Sequence, residues 1–355
     1  MQFIISSFIF FILFFFLWNV RLPMLSSVKE TWIWNKEGAF GTFPPGEGED
    51  PLKVLNGYRL EGRYYSFATN RFVPFEEPFK LDYALLSQGY LEYQKIGDEV
   101  NFYSDSGELF WKKPINSYPR SGYFGTPVLY LSGDNNTVFV LDNSGNASGL
   151  GELNGRFLTD YDFAQNGKGA VVLFSGGEIY RIDEKGNKIF SADLSSDKNE
   201  SFFKSVSLSP NGSFTLVHFS SKKKDYLMIL DEKGEATDEW ELSQFYPHKI
   251  YLSIGNRKNS VLNSVDTVQF FKEDKLVWEE KKEKAGSVYQ ANFAFPSGFA
   301  YGLEKEIVFL DAEGNKIRKK NLPSSEFPIR FFSGKEPNTA YLETKKDIYQ
   351  IRLFE

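Results

Sequence analysis

The sequence predicts an all-β ring, a seven-bladed β-propeller behind an N-terminal transmembrane or signal helix, and three observations carry it. Aromatic residues make up 17% of 355 positions, a composition that suits strands better than helical bundles. A short apolar strand followed by Asp-x-x-Gly recurs along the chain. The recurrences begin at residues 100, 138, 179, 227, 268, 307 and 348, spaced by 38, 41, 48, 41, 39 and 41 residues. That spacing matches the ~40–45-residue period of four-stranded propeller blades.

The repeat is read from Val138–Gly145, Ile179–Gly186, Leu227–Gly234 and Ile307–Gly314. Val100–Gly107 is looser, Val268–Lys275 lacks the glycine, and Ile348–Phe354 lacks the turn. Aspartate opens such a turn because its carboxylate accepts from backbone two residues on. Glycine supplies the positive φ that sends the chain back as the next strand. The strands VFVL, LMIL and IVFL are apolar at consecutive positions, as strands covered on both faces are. A second apolar-plus-turn element precedes most of them: Leu85–Gly89, Phe163–Gly167, Leu208–Gly212 and Phe295–Gly298. Together these give seven units from about residue 80 onward. Residues 57–83 either open the first unit or form an eighth, divergent blade with a hairpin over Tyr64–Phe72.

The expected organisation is a transmembrane anchor or signal segment at 1–21, a linker at 22–31, and a propeller at 32–355 in which 32–43 crosses back to complete the last blade. Closing the ring in this way removes a long unpaired edge. Phe3–Trp18 is a charge-free apolar run of 16 residues, roughly 24 Å as a helix, slightly under the ~30 Å hydrocarbon core. It is expected to contact membrane and to leave the ring on an extracytoplasmic side. A cleaved leader is the competing reading. Residues 42–51 read as an exposed loop rich in Pro, Gly and acid.

These features resemble the repeats of the quinoprotein-like (PQQ-repeat) and WD-repeat-like propeller superfamilies, with Ser209–Gly212 similar to the Ser-Pro-Asp-Gly turn of such rings. The resemblance implies the fold over about 80–355. It also implies that Trp111, Trp240 and Trp278 pack between blades. It leaves activity open, because propellers host unrelated functions.

The chain has no cysteine, only His218 and His248, and a net charge of −6. Thiolate chemistry and Cys-ligated zinc are thereby excluded, and no nucleic-acid partner is expected. Asp105, Asp142, Asp183, Asp231 and Asp311 recur because each sits in its own hairpin turn. Asp160 and Asp162 share one face of a strand and could form an acid/base pair, but no partner base or Gly-rich loop accompanies them, so they are not counted as catalytic. Glu76–Glu77 and Glu279–Glu280 read as solvated charges, as do the basic runs Lys222–Lys224 and Lys316–Lys320. Tyr58, Arg59, Arg63, Tyr64, Tyr65 and Arg71 read as blade packing. With no catalytic, cofactor or metal residues identified, the expectation is a membrane-anchored scaffold that binds another protein. The alternative is an extracytoplasmic enzyme acting on a glycan or other polar substrate in the propeller funnel.

Overall fold

A computed structural model describes residues 26–36, 57–60, 63–66, 69, 71–75, 77–83, 89–94, 97–142, 144–195, 200–282, 292–303, 305–323 and 328–354. They form eight antiparallel sheets. Blade 1 has three strands, Gly57–Leu60, Arg63–Ser66 and Arg71–Pro74. Blade 2 is Phe79–Asp82, Tyr90–Gln94, Val100–Tyr103 and Leu109–Lys113; blade 3 is Ser117–Ser121, Val128–Ser132, Thr137–Leu141 and Ala147–Asn154. Blade 4 is Leu158–Phe163, Ala170–Phe174, Glu178–Ile182 and Lys188–Asp193; blade 5 is Ser201–Leu208, Thr215–Ser221, Lys224–Leu230 and Ala236–Glu241. Blade 6 is Tyr251–Ile254, Asn259–Asn263, Thr267–Lys272 and Lys275–Lys281; blade 7 is Asn292–Phe295, Gly298–Gly302, Glu306–Asp311 and Lys316–Asn321. Blade 8 joins Pro328–Ser333, Thr339–Thr344 and Asp347–Phe354 to Ser27–Asn35.

The apolar clusters set these sheets in a ring, because each cluster fills the gap between consecutive blades. Leu129, Val138 and Leu153 of blade 3 meet Val172 and Phe174 of blade 4. Phe293, Phe309 and Leu322 of blade 7 meet Phe331, Leu342 and Ile351 of blade 8. The circle closes where Tyr341 and Ile348 of blade 8 pack with Tyr58 and Tyr64 of blade 1 and Leu81 and Tyr90 of blade 2. The second strand of each of blades 3, 4, 6, 7 and 8 is buried end to end. Outer strands such as Lys316–Asn321 are largely exposed, here at four of six residues. Burial on both faces of the inner strands is the physical reason for their unbroken apolar pattern.

The ring therefore has eight blades, not seven. The seven repeat strands are the third strands of blades 2 to 8, and the extra blade is the divergent 57–74 stretch. Its three strands are only four residues long and carry no Asp-x-x-Gly. An aromatic ladder holds them instead: Tyr58 stacks on Tyr65 at 5.1 Å and Tyr65 meets Phe72 edge-on at 4.9 Å. Ser27–Asn35 pairs antiparallel with Asp347–Phe354 as the outermost strand of blade 8, and Lys36 then reaches Glu343 at 2.9 Å. The strand begins inside the stretch expected as linker, and 37–43 lie outside the described residues. So does the expected anchor helix at Phe3–Trp18. Among the described residues there is no helix long and apolar enough to cross a membrane.

The turn chemistry follows the sequence in four blades. The Oδ1 atoms of Asp142, Asp183, Asp231 and Asp311 each accept from the backbone N–H two and four residues on, at 2.8–3.0 Å. Blade 2 departs from this. Ser104 Oγ accepts from Glu108 N–H there, while Asp105 turns inward to accept from Gly89 N–H at 2.9 Å.

The turn glycines also make room for the neighbouring blade. A Cβ on Gly314 (φ +86°) would lie 2.3 Å from the Phe270 ring, and Trp278 Nε1–H donates to Gly314 carbonyl oxygen at 2.9 Å. Trp111 lies over Gly145 and Phe190 over Gly234 in the same manner. Gly107, with φ +87°, has nothing nearer than 3.7 Å. Gly107→Ala is therefore expected to cost about 1 kcal/mol, the backbone penalty alone. Gly314→Ala adds an overpacking cost, for about 2–4 kcal/mol in all. Equal losses in urea unfolding would refute the clamp.

Candidate functional site

The innermost strands bring charged side chains to the axis. Blades 4 to 7 surround an axial cavity of about 220 Å³ that includes Asp160, Tyr161, Asp162, Ser207, Lys249 and Asn292. Tyr123, from the first turn of blade 3, caps it by reaching the opposite side of the ring, where its ring meets Phe293 of blade 7 edge-on at 6.5 Å. The turn that aims Tyr123 is fixed by Gly122 N–H donating to Pro127 carbonyl oxygen and Gly125 N–H donating to Gly122 carbonyl oxygen.

Asp160 and Asp162 both lie in this cavity, but they do not face one another across it. They sit two residues apart on one strand and both accept from blade 5. Val206 N–H donates to Asp160 at 3.0 Å, and Leu208 N–H donates to Asp162 at 2.8 Å. Lys249, from the loop entering blade 6, crosses to Asp160 at 2.5 Å. Burial pushes both carboxyls up. Lys249 and the Val206 N–H hold Asp160 back. Asp162 receives no such lysine ion pair among the described contacts, and burial with the neighbouring Asp160 charge pushes it up to about 6 despite the Leu208 and Phe163 N–H groups and the Ser207 hydroxyl.

Beside this cavity, Asp82 on the innermost strand of blade 2 accepts from Ser121 N–H at 2.8 Å and Ser121 Oγ–H at 2.7 Å. Burial raises its pKa, while Ser121 and the cations Arg120 and Arg330 pull it down. Arg120 donates to Tyr93 Oη at 3.3 Å and faces Tyr161. Burial pushes Tyr161 up to about 12, with Arg120 holding it back. Arg330 stacks on Phe332 at 4.0 Å and Tyr83 at 4.9 Å, and its Nε–H donates to Glu343 at 2.9 Å. Burial would raise Glu343, but Arg330 and Lys36 outweigh it and leave its pKa lowered. The centre of the ring thus holds cations, phenols and one carboxyl poised near neutrality. That combination can bind an anion and move a proton.

The two histidines are elsewhere. His218 is fully buried inside blade 5, its Nε2 3.1 Å from Asp225, and His248 is exposed next to Lys249. The basic run of blade 7 is spent on ion pairs: Lys316 with Glu280, Lys319 with Glu306, Arg318 and Lys320 with Glu30. Tyr58, Tyr64 and Tyr65 are buried between blades, as blade packing requires. Among the described residues no cluster of His, Asp and Glu is arranged to hold a metal. Tyr123, Lys249, Arg120 and Arg330 were not singled out from the sequence. Their signal is slight: Arg120 and Arg330 are lone basic residues in innermost strands, and Lys249 and Tyr123 lie in connections with no local pattern.

Comparison with known proteins adds what local motifs could not. A family model described as Arylsulfotransferase (ASST) matches residues 116–291, a little under half of the chain. BamB from Moraxella catarrhalis superposes with a TM-score of 0.51 at 14% identity, covering 79% of this chain and 84% of that one. The C-terminal WD40 domain of Sif2 superposes with a TM-score of 0.51 at 10% identity, covering 82% and 90%. No curated protein matches the chain. The two structures show the propeller fold and favour neither the PQQ-repeat nor the WD-repeat branch. The family match overturns the expectation of a non-catalytic scaffold, because the family is described by an enzymatic activity. The enzyme alternative is the better supported one.

Proposed function

We propose that the chain is a sulfuryl-transfer enzyme of arylsulfotransferase type, with its chemistry in the axial cavity. One coincidence carries this reading. Residues 116–291 of the family match include the innermost strands of blades 3 to 6, and with them Tyr123, Asp160, Tyr161, Asp162, Ser207 and Lys249 of the cavity.

In such a transfer the S–O bond to a donor aryl oxygen breaks and one to an acceptor oxygen forms. The acceptor's proton must leave it and the departing aryl oxygen must regain one. A cation is needed where sulfate charge gathers, and a proton acceptor that works near neutral pH. Lys249 meets the first need, swinging from Asp160 to the sulfate oxygens. Asp162, poised at about 6, meets the second, and Tyr161 offers a hydroxyl to the leaving oxygen. A glycan hydrolase would instead want two carboxyls facing each other across the substrate. Asp160 and Asp162 share one strand and one neighbour. The ring is proposed to work on an extracytoplasmic side, tethered through Phe3–Trp18.

The test uses the full chain with 4-nitrophenyl sulfate and a phenolic acceptor. Release of 4-nitrophenol is expected only when the acceptor is present, with the sulfated acceptor seen by mass spectrometry. Lys249→Met should lower kcat/KM by about 100-fold or more. Absence of turnover with a panel of aryl sulfates, or full activity in Lys249→Met, would count against the proposal.

A further inference from the structure

We propose that the mouth of the ring lined by the turns between first and second strands binds a neutral saccharide carrying acetamido groups. The proposal stands on binding chemistry alone and does not need the sulfuryl-transfer reading above.

Six blades build this mouth, a cavity of about 250 Å³, room for roughly one pyranose residue by the usual size of ligand pockets. Blade 3 contributes Phe124, blade 4 Gln165, blade 5 Asn211, blade 6 Asn256 and blade 8 Asn338. Asparagine suits such turns because its short side chain bonds nearby backbone and tolerates a left-handed φ, as at Asn338 with φ +58°. The asparagines also tie turns of neighbouring blades together. Asn256 Oδ1 accepts from Asn211 N–H at 3.0 Å, and Asn338 Oδ1 accepts from Ser297 N–H at 3.0 Å. Asn211 Oδ1 accepts from Ser213 N–H at 3.0 Å within its own turn.

These bonds orient the amides. An oxygen that takes a backbone N–H cannot trade places with the NH2 group. Asn211, Asn256 and Asn338 therefore keep their Nδ2 donors for the mouth, and among the described hydrogen bonds none of the three is used. Gln165 is a second, independent sign. It is 8% exposed and lines both this mouth and the axial cavity, yet none of the described hydrogen bonds reaches its carboxamide. A carboxamide buried that far needs partners, and a ligand in the mouth supplies them.

The rim thus offers several N–H donors, the Gln165 oxygen and the flat apolar rings of Phe124, Pro210 and Pro296. An acetamido sugar matches that inventory. Its carbonyl oxygen takes two N–H donors, its own N–H donates to Gln165 Oε1, and its methyl and ring C–H faces lie on the apolar rings. An oxyanion matches the donors but finds little net charge, because the charged lining residues among those described, Lys335 and Glu336, are adjacent and opposite in sign. A fused aromatic ligand would leave the amides unpaired. Tyr123 caps the axial cavity on this side, so the mouth is a closed seat for one ring rather than a groove for a passing peptide.

The experiment titrates the purified full chain with chitotriose, followed by saturation-transfer NMR. Saturable binding is expected, with the acetamido methyl protons receiving the strongest transfer. Cellotriose, which has hydroxyls in place of the acetamido groups, should bind at least tenfold more weakly. Asn256→Asp keeps the oxygen that accepts from Asn211 N–H but removes the Nδ2 donors. It should weaken chitotriose about tenfold with an unchanged urea midpoint, and Asn338→Asp should do the same. Asn154→Asp, which adds the same charge on the outermost strand of blade 3, should leave binding as it is. Absence of saturable binding, equal binding of cellotriose or N-acetyl-trialanine, or an equal loss in Asn154→Asp overturns the assignment. Displacement of chitotriose by millimolar sodium sulfate would mark an oxyanion site and overturn it too. No readout involves turnover, so the sulfuryl-transfer reading stands or falls separately.

Discussion

Asp225→Ala is expected to cost about 3–5 kcal/mol of stability, the loss seen when one partner of a buried ion pair is removed. Asp225 is fully buried, and three groups converge on its carboxylate: Lys204 Nζ at 2.7 Å, Tyr246 N–H at 2.7 Å and His218 Nε2 at 3.1 Å. Without it, among the described residues a nearly buried ammonium keeps Tyr246 carbonyl oxygen and the Phe245 ring face, and the chain leading from blade 5 to blade 6 loses its anchor. Asp225→Asn keeps an acceptor and should lose clearly less. The wild-type cluster also predicts acid sensitivity. Burial lowers the His218 pKa, so the unfolded chain takes up a proton near the ordinary value of about 6.5 while the folded one does not. Burial alone would raise Asp225, but His218 and Lys204 outweigh it, so its folded pKa is lowered. Its contribution is present above the usual carboxylate range and is lost as pH falls through the folded value. Stability should therefore decline as pH drops from neutrality. Urea midpoints between pH 7.5 and 4.5 check both points; a loss below 1 kcal/mol in Asp225→Ala would refute the account.

The same cluster marks where sequence reading loses its grip. His218 has no recognisable partner along the sequence, and only the pairing of three strands puts its Nδ1 3.5 Å from Ser205 Oγ and its Nε2 beside Asp225. The periodic part of the fold was legible because turn chemistry is local. Asp311 needs only Glu313 and Asn315 to form its turn, and every such turn announces a blade. Blade 1 has no such turn and is held by tyrosines meeting across strands, a signal without a period. Blade 2 shows a subtler failure. Asp105 fits the motif, yet the turn closes on Ser104 and frees the carboxylate to bond Gly89.

Asp160 and Asp162 were placed correctly on one strand face, but their neighbours were not visible. Lys249 is 89 residues from Asp160 along the chain, and Tyr123 reaches its partner Phe293 only because the ring brings blades 3 and 7 opposite one another. A cavity assembled from short stretches of blades 3 to 7 leaves no compact motif. A family model that sums weak preferences over 116–291 can register what no short spacing reveals.

Asp162→Asn should separate stability from chemistry within that funnel. The folded pKa of Asp162 is about 6, above the ordinary 3.8, so the folded state holds this proton more tightly than the unfolded chain does. The stabilising effect is complete below the unfolded value and is lost as pH rises through 6. At pH 7.5 the buried charge then costs about 3 kcal/mol, from two pKa units at 1.36 kcal/mol each. Asparagine has nearly the same shape and can still accept from Leu208 N–H. The variant should therefore be more stable than wild type by about 1–3 kcal/mol at pH 7.5 and no more stable at pH 4. Activity should move the other way. With no group to take the acceptor's proton, kcat/KM should fall about 100-fold or more, and the rise in wild-type rate through pH 6 should vanish. A variant that is destabilised equally at both pH values would show that Asp162 serves only to tie blade 4 to blade 5. A variant that keeps the wild-type pH profile would place the proton acceptor elsewhere in the ring, with Asp82 the next to test.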